Sequence, residues 1–287
     1  MRSFSEREGY KPMKINLQIG SMDEDLRISL WNVLTIFYWD EMKKYNFLSN
    51  CDNMDFLFKR IWQNYFIQPF DSLNNYWRTT YGEIRDYFFK CEWNEVYDFI
   101  EFVANNFPDK DDKRNRGFMA ICNSILEQEL SGYRFVDGII TPITSDAEIS
   151  AIEEALEITN PLKGVHTHLK TSLTLLSDRK NPDYRNSIKE AISAIECICK
   201  LLTEDKNAKL GNALKIIEDK VALHPALKDG FNKLYGWTSN EDGIRHSLME
   251  ESNISFEDAK YMLVSCSAFV NYLIVKAEKA GIKLESK

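Results

Sequence analysis

Two stretches in the C-terminal half of the chain carry apolar residues three or four positions apart, and this spacing constrains the fold more than any other feature. One stripe runs from Ile188 to Leu202 and the other from Ala259 to Ala277. An α-helix turns once every 3.6 residues, so each stripe lies on one helical face. Each helix therefore needs a partner, and the two are expected to pack together in a small bundle.

Helix-start signals precede both stripes. Ser255 followed by Asp258 forms a near capping box before the second stripe. Asn181 and Pro182 predict the start of the first helix, with asparagine as the cap and proline at the first helical position.

The N-terminal half predicts further helices with many aromatic residues. Ser21 and Glu24 form a capping-box pattern ahead of a helix over residues 25–42. Further helices are expected at 56–67, 76–89, 93–103 and 118–130, with residues 109–116 as a charged hinge. We interpret the aromatic residues before position 108 as core, with stacking on bases or a cofactor as the alternative.

The periodicity changes near residue 133. Asp137-Gly138 between β-branched and aromatic residues predicts a β-hairpin near 133–143 with a two-residue type I′ turn. Thr144 or Ser145 then caps a helix through Ile158, and another helix covers 165–176. The polar linker after residue 177 divides the chain into an N-terminal helical domain, 1–177, and a C-terminal helical bundle, 178–287. The helices just before this boundary can pack on either side of it.

Composition narrows the class of protein. The 44% hydrophobic and 28% charged residues are typical of a soluble, globular, mostly α-helical protein. No apolar run is long enough to cross a bilayer and no signal peptide is visible, so we expect a cytoplasmic protein without membrane contact. The net charge of −8 argues against a broad nucleic-acid platform. The six cysteines form no CxxC pair and are interpreted as reduced thiols.

Three segments of the C-terminal half resemble the HEPN superfamily of bacterial defence and toxin proteins. They are DYRNSIKEAISAIECICK (183–200), LHPALKDGFNKLYGWTSNEDGIRHSL (223–248) and DAKYMLVSCSAFVNYLI (258–274). The resemblance implies two long helices that flank a basic-histidine site in a dimer cleft, and many members are metal-independent ribonucleases. The usual motif has four to six residues between arginine and histidine. Here Arg245 and His246 are adjacent, and Asn240 stands six positions before His246.

The N-terminal segment SFSEREGYKPMKINLQIGSMDEDLRISLWNVL (3–34) resembles the N-terminal domains of AbiJ-type abortive-infection proteins of the fourth class. The Ser-Glu-Arg start and the Asp-x-x-Leu-Arg-x-x-Leu-Trp-Asn helix carry the resemblance, which continues to the hairpin. It implies a domain that senses infection or tethers an effector. The trigger, from phage or host, is unknown.

Together the two resemblances predict an antiphage effector that cleaves RNA as a homodimer through its C-terminal bundle. Arg245 would hold the scissile phosphate with its planar fork, and His246 would transfer the proton near neutral pH. Adjacent side chains on a helix diverge by about 100°, so a two-fold dimer would let His246 of one chain meet Arg245 of the other. Asn240, Arg185 and Lys189 would bind substrate in the same groove.

A non-catalytic scaffold or binding module is the alternative. The adjacent Arg245 and His246 depart from the usual motif, and Glu241 and Asp242 would repel phosphate. In this alternative Arg245 pairs with a nearby carboxylate and His246 is buried between helices. No cofactor and no metal is expected: His166 and His168 diverge on a helix, and no cysteine or acidic pair completes a site.

Overall fold

The computed structural model describes residues 4, 17–109, 113–178, 181–207, 210–221, 223–239 and 254–284. In these ranges the chain is mostly α-helical with one two-stranded antiparallel hairpin, which confirms the predicted fold class. Internal contacts divide the chain into two compact units, Met1–Thr144 and Ser145–Lys287. None of the helices within the described ranges combines the length and the hydropathy that a bilayer crossing requires.

The first unit contains five described α-helices, several short helical turns and the hairpin. The α-helices are α1 (Glu24–Phe37), α2 (Asp52–Arg60), α3 (Trp77–Lys90), α4 (Trp93–Asn106) and α5 (Lys113–Gln128). The 3-10 turns are Trp39–Lys44, Leu48–Asn50 and Phe70–Ser72, and Ile61–Tyr65 is a π turn that continues α2. The strands are β1 (Arg134–Val136) and β2 (Ile139–Thr141).

The start of α1 differs from the prediction. Asp23 is the N-cap, and its Oδ1 accepts a hydrogen bond of 2.9 Å from the amide of Leu26. The expected capping box of Ser21 and Glu24 is therefore wrong, because Glu24 is already the first helical residue. The α-helix also ends at Phe37, short of the predicted residue 42, and the chain continues as a 3-10 turn.

Aromatic side chains fill the core of the first unit. Trp31, Trp39, Trp62 and Trp77 are all buried, and Trp39 stacks on Phe58 with ring centroids 5.6 Å apart. These positions confirm core packing for most of the tryptophans and leave them out of reach of a stacked base.

The hairpin forms as predicted. Asp137 and Gly138 have φ values of 47° and 80°, as a type I′ turn requires, and Val136 pairs with Ile139. The Asn105 side-chain amide on α4 donates to the Gly138 carbonyl at 2.8 Å. The hairpin is thus attached to a helix, which a short isolated hairpin needs for stability.

The second unit is a bundle of six described helices. They are α6 (Asp146–Ile158), α7 (Lys163–Ser177), α8 (Tyr184–Thr203), α9 (Leu210–Val221), α10 (Pro225–Ser239) and α11 (Phe256–Lys279).

Helices α7 and α8 form an antiparallel pair with a buried polar contact near the start of α8. The Ser172 hydroxyl donates to the Ser187 carbonyl at 2.8 Å, and the Ser187 hydroxyl donates to the Ser172 carbonyl at 2.9 Å. The cap of α8 is Asp183, whose Oδ1 accepts from the Asn186 amide at 3.0 Å. The predicted start at Asn181-Pro182 is therefore two residues early.

Helix α11 packs against α8, α6 and α7. Its predicted capping box is confirmed: the Asp258 amide donates to Ser255 Oγ, and the Ser255 amide donates to Asp258 Oδ2. Both apolar stripes are buried in this packing, including Ile192 on α8 and Phe269 on α11. The two stripes that the sequence predicts to lie side by side do so.

The helices just before the predicted boundary pack with the C-terminal bundle. The sequence places the domain boundary at 177/178, whereas the contacts divide the chain between Thr144 and Ser145. The reason is that α7 pairs with α8 and α6 packs on α11, so both helices bury their apolar faces in the second unit.

Candidate functional site

The predicted catalytic residues Arg245 and His246, and the predicted substrate-binding Asn240, lie outside the described residues. They belong to the 14-residue segment 240–253, which joins α10 to α11. We call it the candidate segment. The structure describes both of its flanks and the helix that carries Arg185 and Lys189.

An aromatic contact places the start of α11 beside the start of α8. The rings of Tyr184, the first residue of α8, and Phe256, the first residue of α11, meet edge to face with centroids 6.1 Å apart. The chain therefore enters α11 next to the N-terminus of α8.

The other flank is fixed on the same two helices. The Tyr235 hydroxyl on α10 donates to Glu196 Oε1 on α8 at 3.2 Å. The Phe231 ring stacks on Phe269 of α11 with centroids 3.4 Å apart and planes 14° apart. Tyr184 and Glu196 are separated by about 18 Å along α8 at 1.5 Å per residue, so α10 and the start of α11 contact α8 at two separate points.

Arg185 and Lys189 lie on one face of the first turns of α8. They are four residues apart, so their side chains are neighbours on the helix surface. Arg185 is half-buried and Lys189 is exposed. Arg185 also directly follows Tyr184, which contacts the start of α11. Two cations on one helical face near the start of α11 form an arrangement that can hold a phosphate.

The other histidines have structural partners. His166 Nδ1 lies 3.0 Å from the Leu156 carbonyl, and His168 Nδ1 lies 2.6 Å from Glu190 Oε2. His224 Nδ1 accepts from the Ala226 amide at 3.2 Å, at the start of α10. His166 and His168 thus point to different partners, as their spacing on a helix predicts.

One carboxylate cluster was not found from the sequence. Within the described ranges, the carboxyl groups of Asp23, Asp25 and Glu129 lie together, and each offers one oxygen within 4.8 Å of the other two. Asp23 already caps α1. Glu129 follows α5, more than 100 residues later in the chain, so only the folded structure brings it to the start of α1.

A cavity of about 560 Å³ lies at the far end of α11 from the candidate segment. Its lining is mostly apolar and includes Ile158, Leu162, Ile274 and Ile282, together with the charged Glu278 and Lys283. Because it adjoins the last turns of α11, it is separate from the helix starts that flank the candidate segment.

None of the six thiols forms a disulfide. Burial raises the pKa of each of them, and it raises the pKa of Cys266 to about 12. A raised pKa keeps a thiol protonated and a weak nucleophile at neutral pH, so these groups suit packing more than catalysis.

The fold, with the helices on either side of the candidate segment, defines a class of protein. In this class an aromatic-rich N-terminal unit precedes a helical bundle, and the sequence between two helices of the bundle contains adjacent arginine and histidine. The sequence matches the family model described as AbiJ N-terminal domain 4 over residues 2–157, more than half of the chain. The chain therefore belongs to this family of abortive-infection N-terminal domains. Searches of curated proteins and of solved structures gave no match.

Proposed function

We propose that the chain is an abortive-infection effector whose C-terminal unit is a metal-independent HEPN-type endoribonuclease. One observation carries the proposal: an AbiJ-type domain is followed by a bundle whose two long, packed helices flank a segment with adjacent arginine and histidine. We place the protein in the cytoplasm, with RNA as substrate and a phage or host component as trigger.

The proposed reaction assigns a role to each residue of the site. His246 takes the proton from a ribose 2′-hydroxyl as that oxygen attacks the adjacent phosphorus, and the 5′-oxygen of the next nucleotide leaves with a proton taken from water. Arg245 stabilises the charge that develops on the phosphorane oxygens. Arg185 and Lys189 hold flanking phosphates from α8, and Asn240 binds the substrate by hydrogen bonds.

The outer surface of the bundle supports a homodimer. Residues 261–275 of α11 contain no charged side chain. Tyr261 is 56% exposed and Val275 38%, and Trp237 near the end of α10 is 43% exposed. An apolar helix face left in water is typical of a protein–protein interface. A two-fold axis at this face would also supply the partner that adjacent Arg245 and His246 require.

Cleavage of total RNA by the purified full-length chain in EDTA tests the proposal. His246→Ala and Arg245→Ala should each lower the cleavage rate by at least about 100-fold. His224→Asn is the matched control, because asparagine can also cap α10 and this histidine lies outside the site. Equal cleavage by His246→Ala would refute the assignment of this residue.

A non-catalytic scaffold is the second candidate function. The adjacent Arg245 and His246, the neighbouring Glu241 and Asp242 and the net charge of −8 favour it. It predicts a dimer that forms equally well with His246→Ala and cleaves no RNA. Sedimentation of the wild type and of His246→Ala shows whether each forms a dimer. Together with the cleavage assay, this measurement separates the two functions.

A further inference from the structure

Two aromatic side chains of the first unit face water instead of the core. Phe47 is 46% exposed and Tyr76 is 41% exposed, and their rings meet edge to face with centroids 5.7 Å apart. Tyr45, two residues before Phe47, is also exposed. Stacking on bases, which burial rules out for most of the tryptophans, is open to these rings. We call Phe47 and Tyr76 the aromatic platform.

A short antiparallel bridge holds the aromatic platform in place. The Trp77 amide donates to the Asn46 carbonyl at 2.8 Å. The Leu48 amide donates to the Asn75 carbonyl, also at 2.8 Å. The platform residues lie between these two bonds as a non-hydrogen-bonded pair, the kind in which opposed side chains are closest and share one face. Leu48 and Trp77 are buried, so the bridge is fixed to the core and the rings are preorganised for a ligand.

The segments that form the bridge are positively charged, although the net charge of the chain is −8. Residues 43–50 and 72–82 contain no aspartate or glutamate. They carry three cations, which are Lys43, Lys44 and Arg78. Lys43 pairs with Asp40 at 2.8 Å, whereas Lys44 and Arg78 are exposed and, within the described residues, form no ion pair. Each of these two cations stands within three residues of a platform ring along the chain.

This charge favours a polyanion over a second copy of the chain as the occupant. Across a two-fold axis the face of one copy would meet the same face of the other, which would bring like charges together. Cations beside exposed rings instead match a nucleic acid strand, because bases stack on the rings and phosphates bind the cations. The positive end of α3, which begins beside Tyr76 and has no acidic residue in its first turn, acts in the same direction.

We infer that the aromatic platform binds single-stranded nucleic acid. Phe47 and Tyr76 stack on bases, and Lys44 and Arg78 bind phosphates beside them. A duplex is excluded because its bases already stack on one another. The site contacts few phosphates, so its binding is weak and salt-dependent. The inference goes beyond the proposed cleavage and does not depend on it, because the platform belongs to the first unit alone.

Fluorescence anisotropy with labelled oligothymidylate and oligouridylate of about 12 nucleotides tests the binding. The full-length chain is used, with His246→Ala and EDTA for oligouridylate so that the proposed reaction does not consume it. Both strands offer stacking faces and phosphates, and only oligouridylate has 2′-hydroxyls. Binding of both supports the inference, and a preference for one identifies the ligand as RNA or as DNA. Equally tight binding of a duplex of the same length would overturn it.

Substitutions of the rings test the stacking. Phe47→Leu and Tyr76→Leu keep an apolar side chain but remove the stacking face, so each should weaken binding about fivefold or more. Phe47→Tyr keeps the face and should bind as the wild type does. Phe56→Leu is the matched control, because Phe56 is 47% exposed in the same unit but its ring is covered by the Arg60 guanidinium, 5.6 Å from the centroid. It should leave binding unchanged.

Substitutions of the cations test the phosphate contacts. Lys44→Gln and Arg78→Gln should each reduce the slope of log affinity against log salt by about 0.7, the contribution of one phosphate contact in a single strand. Both side chains are exposed, so these variants decide the question even if a ring variant fails to fold. Unchanged slopes in both would overturn the inference.

Three further results would overturn the inference. They are no binding up to about 100 μM at low salt, full binding by Phe47→Leu, and equal weakening by Phe56→Leu. Sedimentation of the chain without ligand provides the other arm: if Phe47→Leu dissociates an oligomer and leaves oligonucleotide binding intact, the platform is a protein contact. Absence of RNA cleavage refutes only the proposed nuclease, because oligothymidylate has no 2′-hydroxyl and its binding is measured independently.

Discussion

Gly164 lies at a close contact between α7 and α8, and replacing it tests how tightly the pair is packed. A Cβ at this position would lie 2.8 Å from Cys197 Sγ. Ordinary contacts between such atoms are about 3.5–4.0 Å, so Gly164→Ala forces about 1 Å of movement. Overpacking of this kind costs about 1–3 kcal/mol, while the better helix propensity of alanine returns up to about 1 kcal/mol. We expect a net loss of about 1 kcal/mol.

The effect of Gly164→Ala on stability should change from loss to gain when the Cys197 sulfur is removed. In a Cys197→Ala background the alanine at 164 meets open space, and its helix propensity should stabilise the pair by up to about 1 kcal/mol. The two substitutions should therefore couple by about 2 kcal/mol, roughly thirtyfold in an opening equilibrium. Hydrogen exchange of α7 and α8 amides measures this quantity locally, which avoids the overlap of two helical units in a global unfolding curve. Equal stabilisation by Gly164→Ala in both backgrounds would refute the close approach.

Three further substitutions test the first unit, with unfolding in urea followed by tryptophan fluorescence. Tyr38→Phe removes the 3.0 Å hydrogen bond to the buried Asn115 Oδ1 and should cost about 1–3 kcal/mol; no loss would mean that water or another group replaces the hydroxyl. Gly138→Ala should cost about 1–3 kcal/mol, because φ is +80° and the new Cβ would meet Asn105 Oδ1 at 2.7 Å; Asp137→Asn, which suits the same turn, is the control. Burial raises the pKa of the Glu101 carboxyl above its ordinary 4.5, so the folded state binds more protons than the unfolded state in the window above pH 4.5 and its stability falls as the pH rises through that window. Glu101→Gln should remove this pH dependence and be more stable than wild type at pH 7, and parallel pH profiles for the two proteins would contradict the reasoning.

The acidic cluster and helix α6 illustrate what sequence patterns miss. Asp23 and Asp25 are visible as the start of a helix, but their neighbour Glu129 follows α5, which reaches them only in the folded unit. The sequence predicts that Thr144 or Ser145 caps α6, and the structure shows Ser145 as the cap. Its partner could not be predicted, because an amphipathic face specifies that burial is needed but not which apolar surface provides it.

Turn and cap predictions were reliable where residues close together in the sequence are sufficient to form the feature. The Asp137-Gly138 turn needs only two residues with positive φ, and the capping box of Ser255 and Asp258 closes within four residues. At α8 the neighbouring residues offer two competing caps, Asn181 and Asp183, and the short carboxylate of Asp183 reaches the Asn186 amide. Sequence alone could not choose between caps two positions apart.

The apolar spacing of residues 188–202 and 259–277 was sufficient to determine two long helices, each with one face that must be buried. That these two faces pack on each other was a prediction, and the structure confirms it. The aromatic N-terminal half likewise determined a helical core. Only the tertiary structure decided that α6 and α7 join the C-terminal bundle, that Tyr184 meets Phe256, and that Ser267 and Asn271 keep buried oxygens unpaired. Those features depend on distances between residues far apart in the chain, and periodicity carries no information about such distances.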